Sequence, residues 1–168
     1  IPAYVASGPT IPSSTTAEDA RALIDDYRLD LPSSIKDAIY HARAPQPEDP
    51  VFQRNEVHIV ASARQSLEAA HREAQRQGLQ AIILSDAIEG EASDIGMMHA
   101  ALAREIALRD RPFAKPVILL SGGETTVTLR DHDKGRGGRN SEFLLSFALG
   151  IQDINHIHAL AADTDGID

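Results

Sequence analysis

The chain has 168 residues and 18.1 kDa, 42% of them hydrophobic and 24% charged, enough for one sizeable core and inconsistent with wholesale disorder or a coiled coil. Sixteen Lys and Arg against 25 Asp and Glu give a net charge of -9, which repels phosphodiester backbones and anionic lipid and argues against nucleic acid as a partner. The absence of Cys excludes a disulfide framework, a thiolate nucleophile and Cys-based metal sites, and makes the cytoplasm the expected compartment.

Thr15-Thr16 before Ala17-Glu18-Asp19, with Leu23, Ile24 and Tyr27 at helical spacing, predicts a helix over about 17 to 28. Pro32 followed by Ile35, Ala38, Ile39 and Ala42 predicts a second helix ending near Arg43. Pro45, Pro47 and Pro50 then mark a surface connection. From Val57 the pattern changes to alternating strand and helix. Strands are predicted at Val57–Ala61, Ala81–Ser85, Pro116–Ser121 and His158–Ala162. Helices are predicted at Ser66–Gln77, closed by Gly78, at Glu91–Leu108 and at Ser141–Leu149. In the long helix, Ile95, Met98, Leu102 and Ile106 form the expected buried face. Thr125–Arg130 is a further short alternating segment. Apolar runs such as Ala81–Leu84 and Val117–Leu120 are strand-sized, far short of the roughly 20 residues that span a bilayer, so no membrane segment is expected. The order implies an α/β fold with an open parallel or mixed sheet, which places function at the carboxyl ends of the strands.

Those ends carry the unusual residues: Ser62 and Arg64, Asp86 to Glu91, Ser121 to Glu124, and Asp163 to Asp168. In Ser121-Gly122-Gly123-Glu124-Thr125-Thr126 two glycines would let backbone N–H groups approach an anion, the alternative being a tight turn between strands. Gly135-Arg136-Gly137-Gly138-Arg139-Asn140 opens onto a helix whose N-terminus could take phosphate beside Arg136 and Arg139, the alternative being a solvated loop. Neither stretch matches the P-loop or the dinucleotide pattern G-x-G-x-x-G. Asp163, Asp165 and Asp168 supply hard oxygen for Mg²⁺ shared with a nucleotide, whereas their spacing does not fit an EF-hand. The seven His are scattered, with no His-x-x-x-His pair, so zinc is not expected.

Pro116–Thr128, Gly135–Glu142 and Leu160–Asp168 resemble, in that order, the signature of glycerate 2-kinases with a MOFRL domain. Ala6–Thr10, Val60–Ser62 with Gln65, and Gly90–Ala92 match the preceding segment of the same family, so the resemblance spans essentially the whole chain. It implies ATP- and Mg²⁺-dependent phosphorylation of D-glycerate at its 2-hydroxyl, in a cleft between two α/β domains with open, mostly parallel sheets. Residues 1–112 would end a Rossmann-like first domain and residues 113–168 would begin the MOFRL domain, both incomplete. The chain therefore reads as an internal fragment, inactive alone because a family lysine and glycine-rich loop are absent.

On this resemblance, Gly122, Gly123, Gly137 and Gly138 would hold phosphate through backbone N–H groups, within a binding set that also includes Ser121, Glu124, Thr125 and Asn140. Arg139 would neutralise developing charge or grip the glycerate carboxylate. Asp163 or Asp165 would hold Mg²⁺ or orient the attacking hydroxyl. Expected partners are D-glycerate and nucleotide, and a homo-oligomer is compatible with the sequence. The alternatives are a hydroxypyruvate reductase using NAD(P)H, a name the family has also carried, and a catalytically inactive binding fragment.

Overall fold

The computed structural model describes residues 10–43, 45–129, 136–163 and 166. The chain divides into two compact units, Ile1–Val60 and Ala61–Asp168.

In the first unit, α1 (Ala17–Asp26) begins on a reciprocal cap. Thr16 Oγ1 accepts from the Asp19 N–H at 3.2 Å, and Asp19 Oδ2 accepts from the Thr16 N–H at 2.7 Å, satisfying two donors that a helix start leaves open. The Thr16 backbone and hydroxyl donors hold the Asp19 carboxyl below the usual carboxylate range. Helix α2 (Ser33–His41) follows Pro32, and Arg21 ties the pair by donating to the Tyr40 carbonyl at 2.8 Å. A short 3₁₀ turn, Pro50–Phe52, closes the proline-rich connection.

The second unit begins with α3 (Ala63–Arg76), capped by Ser62 Oγ accepting from the Gln65 N–H at 3.3 Å. The expected Gly78 stop is present, with φ of +75°, a conformation a side chain disfavours. Strand β1 (Gln80–Glu91), helix α4 (Ala92–Arg109) and strand β2 (Val117–Thr126) form a β-α-β unit whose two strands pair in parallel, from Gln80↔Val117 to Glu91↔Thr126. Irregularities interrupt the register between Ile83 and Ser85 and between Ser85 and Ile88. Helix α5 (Arg139–Gly150) packs along α4.

Alternation along β2 places helices on both faces of the sheet. Ser121 meets His99 of α4, while a Cβ on the next residue, Gly122, would meet Leu67 and Ala63 of α3 at 3.4 and 3.6 Å.

The α/β class and the helices agree with the sequence, and three expectations are corrected. Val57–Ala61 and His158–Ala162 are not strands: no described segment pairs with them, and Val60 and Leu160 are 91% and 90% exposed. An apolar run becomes a strand only when neighbouring backbone takes up its hydrogen bonds. Second, the Ser121–Thr126 stretch is neither a turn nor a loop: it continues β2, with Ser121 opposite Ser85 and Gly123 to Thr126 opposite Ile88 to Glu91. Third, the buried face of α4 is shifted from the expected one: Ile106 is buried and Ile95 and Leu102 are half-buried as expected, but the centre of the face lies on small residues. Ala92, Gly96, His99, Ala100 and Ile106 are inside and Met98 is exposed. Small residues let α5 approach: the Cβ built on Gly96 would stand 2.5 Å from the Phe143 carbonyl oxygen, and that built on Gly150 would stand 2.5 Å from Ala100 Cβ. Close interhelical contact outweighs the burial of one large side chain, because dispersion gains need short distances over many atoms.

Candidate functional site

The carboxyl half of β2 supports the site. Gly123 has φ of +155°, and a Cβ there would overlap the backbone of Ile88 in β1. Gly123 therefore admits the neighbouring strand, while a Cβ on Gly122 would make only ordinary contact with α3. Glu91, at the end of β1, straps the two strand ends together. Its carboxylate accepts from Thr126 Oγ1 at 3.0 Å, Thr128 Oγ1 at 2.7 Å and the Thr128 N–H at 3.0 Å. The Thr128 hydroxyl, the Thr128 N–H and the Thr126 hydroxyl, in that order, hold the Glu91 carboxyl below its usual range, since hydrogen bonds to the charged form favour it.

The second glycine stretch opens α5 as expected, two residues earlier than its apolar pattern begins. Gly138 is the N-cap residue, and its N–H donates to Ser141 Oγ at 3.4 Å. Gly137 has φ of +127°, and a Cβ there would press on Ser141 at 3.2 Å. Asn140 lies half-buried on the same first turn.

Arg139, the first residue of α5, contacts the Glu124 carboxylate of β2, and its Nη2 lies 3.6 Å from Asp163 Oδ1. Three stretches separate in sequence thus converge through one guanidinium. Glu124 is 73% exposed and Asp163 21%, and the buried Asp163 Oδ2 has no hydrogen-bond partner among the described residues. Thr125 is half-buried beside them and pairs with Gly90 in the strand register. Asp165 lies outside the described residues, as does Gly135. No cluster of three or more His, Asp or Glu side chains suited to a metal ion occurs among the described residues.

One feature escapes a reading of strand ends, and a second joins two residues which that reading names, Arg64 and Asp86. His99, buried in α4, has Nδ1 2.8 Å from the Ile95 carbonyl and Nε2 3.2 Å from Ser121 Oγ. Its signal is a His one turn after Ile95 amid small residues, visible only once the buried face of α4 is known. On the other face of the sheet, a cleft of about 170 Å³ is lined by Arg64, Leu67, Glu68, Ile83, Ser85 and Asp86. Arg64 donates there to Glu68 at 3.0 Å. No described helix is long and apolar enough to cross a membrane.

Comparison with known proteins places this geometry. Residues 117–168 match the MOFRL family, and residues 1–40 match a domain of unknown function, DUF4147. A protein of Agrobacterium vitis carrying a hydroxypyruvate reductase name is 44% identical over 167 residues, 99% of this chain and 43% of that protein. A glycerate 2-kinase of Pyrococcus horikoshii is 40% identical over 169 residues, 98% of this chain and 38% of that protein. The crystal structure of a glycerate kinase from Thermotoga maritima superposes with a TM-score of 0.69 at 31% identity, covering 92% of this chain and 36% of that one. The chain thus spans about two fifths of the length of the curated relatives it matches. Over that span, from the DUF4147 match at residues 1–40 to the MOFRL match at residues 117–168, it is similar to glycerate kinases with a MOFRL domain.

Proposed function

We infer that the protein carrying this chain is a glycerate 2-kinase, transferring a phosphoryl group from ATP to the 2-hydroxyl of D-glycerate. The observation that carries this reading is the convergence of the Glu124 and Asp163 carboxylates on the Arg139 guanidinium at the N-terminus of α5. The division into 1–112 and 113–168 belongs to the same reading, supported by a MOFRL match that begins at residue 117.

Phosphoryl transfer asks for positioning and charge neutralisation more than covalent chemistry. Arg139 is suited to exchange partners. Its contact with the exposed Glu124 is the kind of ion pair worth about 0–1 kcal/mol, whereas a bidentate bond to a substrate anion in a water-excluded site is stronger. Glu124 would then hold the guanidinium in place until an anion replaces it, and Asp163 would keep it aimed. The N–H groups at the start of α5, from Gly137 and Gly138 onward, would face the same anion. Gly123 serves chiefly to admit β1, and the part of Gly122 and Gly123 in holding phosphate is secondary.

Asp163 fits Mg²⁺ through its Oδ2, which has no hydrogen-bond partner among the described residues; the ion typically takes one or two carboxylates and completes its shell with water and phosphate oxygens. Asp165 would be the second carboxylate. Bound there, Mg²⁺ would neutralise charge on the nucleotide phosphates.

The test is product identification. Full-length protein is incubated with D-glycerate, ATP and Mg²⁺, and phosphoglycerates are resolved by NMR, with a parallel incubation of hydroxypyruvate and NADH followed at the cofactor's absorbance. Formation of 2-phosphoglycerate supports the kinase. NADH oxidation without phosphate transfer would favour the reductase name that the Agrobacterium vitis relative carries.

A further inference from the structure

His99 is buried, 7% exposed, on the face of α4 that meets β2 and α5. Phe143 of α5 stands edge-on to its ring, with centroids 5.2 Å apart and planes at 73°. The two ring nitrogens have different partners: Nδ1 lies 2.8 Å from the Ile95 carbonyl oxygen, and Nε2 lies 3.2 Å from the Ser121 hydroxyl. A carbonyl oxygen only accepts, so Nδ1 carries a proton. In the neutral ring Nε2 is then a lone pair. The single proton of Ser121 is committed to it, and the lone pairs of Ser121 Oγ are what remain for anything else.

We propose that His99 is a positioning residue that fixes Ser121 as a hydrogen-bond acceptor, so that the ligand group seated on Ser121 is a hydroxyl donor and not a phosphoryl oxygen. An ionised phosphoryl oxygen is itself only an acceptor and would face the Ser121 lone pairs. Ser121 is an exposed residue in the half of β2 that leads to Glu124. The site then divides its labour: Arg139 and the amides opening α5 donate to the anion, and Ser121 accepts from a hydroxyl. The identity of the ligand rests on the kinase reading, which offers two sources, the hydroxyls of glycerate and those of the nucleotide ribose.

The tautomer is tested on full-length protein with ¹⁵N-labelled His, where a two-bond proton–nitrogen correlation distinguishes the ring nitrogens. A protonated Nδ1 and an accepting Nε2 are expected. Ser121→Ala should move the Nε2 signal and leave the Nδ1 proton in place. A ring protonated on Nε2, singly or doubly, at neutral pH overturns the proposal.

The ligand half is tested by calorimetric titration with D-glycerate against D-lactate and 3-hydroxypropionate, and with ATP against 2′-deoxy-ATP and 3′-deoxy-ATP. Wild type should lose about tenfold in affinity when one of these hydroxyls is removed, the scale of one neutral hydrogen bond. Ser121→Ala should bind the parent ligand about tenfold more weakly and no longer discriminate, and whichever ligand shows this is the source. His99→Phe, which frees the Ser121 proton, should also lose discrimination, and if it does not fold, Ser121→Ala and the tautomer decide. Unchanged discrimination in Ser121→Ala overturns the proposal and leaves the kinase reading standing. A wild type that binds neither glycerate nor ATP overturns the kinase reading and the ligand half together, while the tautomer still decides the His99–Ser121 half.

Discussion

Gly96 of α4 lies so close to Phe143 of α5 that a Cβ on it would stand 2.5 Å from the Phe143 carbonyl oxygen and 3.0 Å from Ser146 Cβ. The same crossing lets Ser146 Oγ donate to the Ser93 carbonyl at 2.6 Å. Two effects of Gly96→Ala oppose each other. Helix propensity favours Ala by about 1 kcal/mol, while forcing a methyl against fixed backbone costs about 1–3 kcal/mol. Because the obstructing atom is backbone, the steric effect wins. Gly96→Ala should lower stability by about 1 kcal/mol net, read as a drop in the urea midpoint. A raised midpoint would show that the crossing relaxes freely.

The two glycines of β2 should respond differently to Ala. At Gly123 a Cβ overlaps the Ile88 backbone at positive φ, so Gly123→Ala should cost about 2–4 kcal/mol. At Gly122 the nearest atom is Leu67 Cδ1 at 3.4 Å, an ordinary contact, and Gly122→Ala should stay within about 1 kcal/mol of wild type. Paired thermal melts check the contrast, and equal losses would contradict it.

Arg139→Ala should reduce kcat/KM for glycerate phosphorylation by roughly 30-fold or more, corresponding to loss of one desolvated charge-assisted pair, about 2–5 kcal/mol. Arg139→Lys should also be impaired, because an ammonium cannot make the planar bidentate bond. Melting temperatures should move little, since Arg139 is 36% exposed and the Glu124 it contacts is 73% exposed. Activity of Arg139→Ala within about threefold of wild type would remove the residue from the site.

Asp163→Asn should depress activity at saturating Mg²⁺ while leaving stability unchanged or raised, because its Oδ2 makes no hydrogen bond to lose among the described residues. Kinetics at several Mg²⁺ concentrations, run beside a melt, separate the two. A destabilised variant with wild-type kinetics would make Asp163 a structural residue.

The Glu91 strap should be visible in the pH dependence of stability. Its carboxyl is held below the usual range in the folded protein by Thr128 and Thr126, so the folded state prefers the ionised form. Its contribution is complete above the ordinary Glu range and is lost as pH falls through the lowered folded value. The melting temperature of Glu91→Gln should therefore fall below that of wild type at neutral pH, with the gap closing in acid. A gap independent of pH would assign the strap to shape and not to charge.

The sequence alone determined what is local. Thr16 and Asp19 specify a cap within four residues, Gly78 ends α3 through its own φ, and Gly138 opens α5 before a helical apolar period. The ordered motifs likewise carried the resemblance to glycerate kinases without coordinates, and the MOFRL match at residues 117–168 agrees with it. What depends on distant backbone was decided only by the tertiary structure. Val57–Ala61 and His158–Ala162 have strand composition, but a strand needs a partner. Gly123 has a strand neighbour in the space a side chain would need, the backbone of β1, whereas a side chain at Gly122 would meet α3 only at ordinary contact distance. Arg139 was legible as a candidate, and its link to Glu124 and Asp163 was not, because composition carries no distance. His99 was unreadable for the same reason: large apolar residues mark one side of α4, and close packing against α5 shifted the buried face toward its small residues.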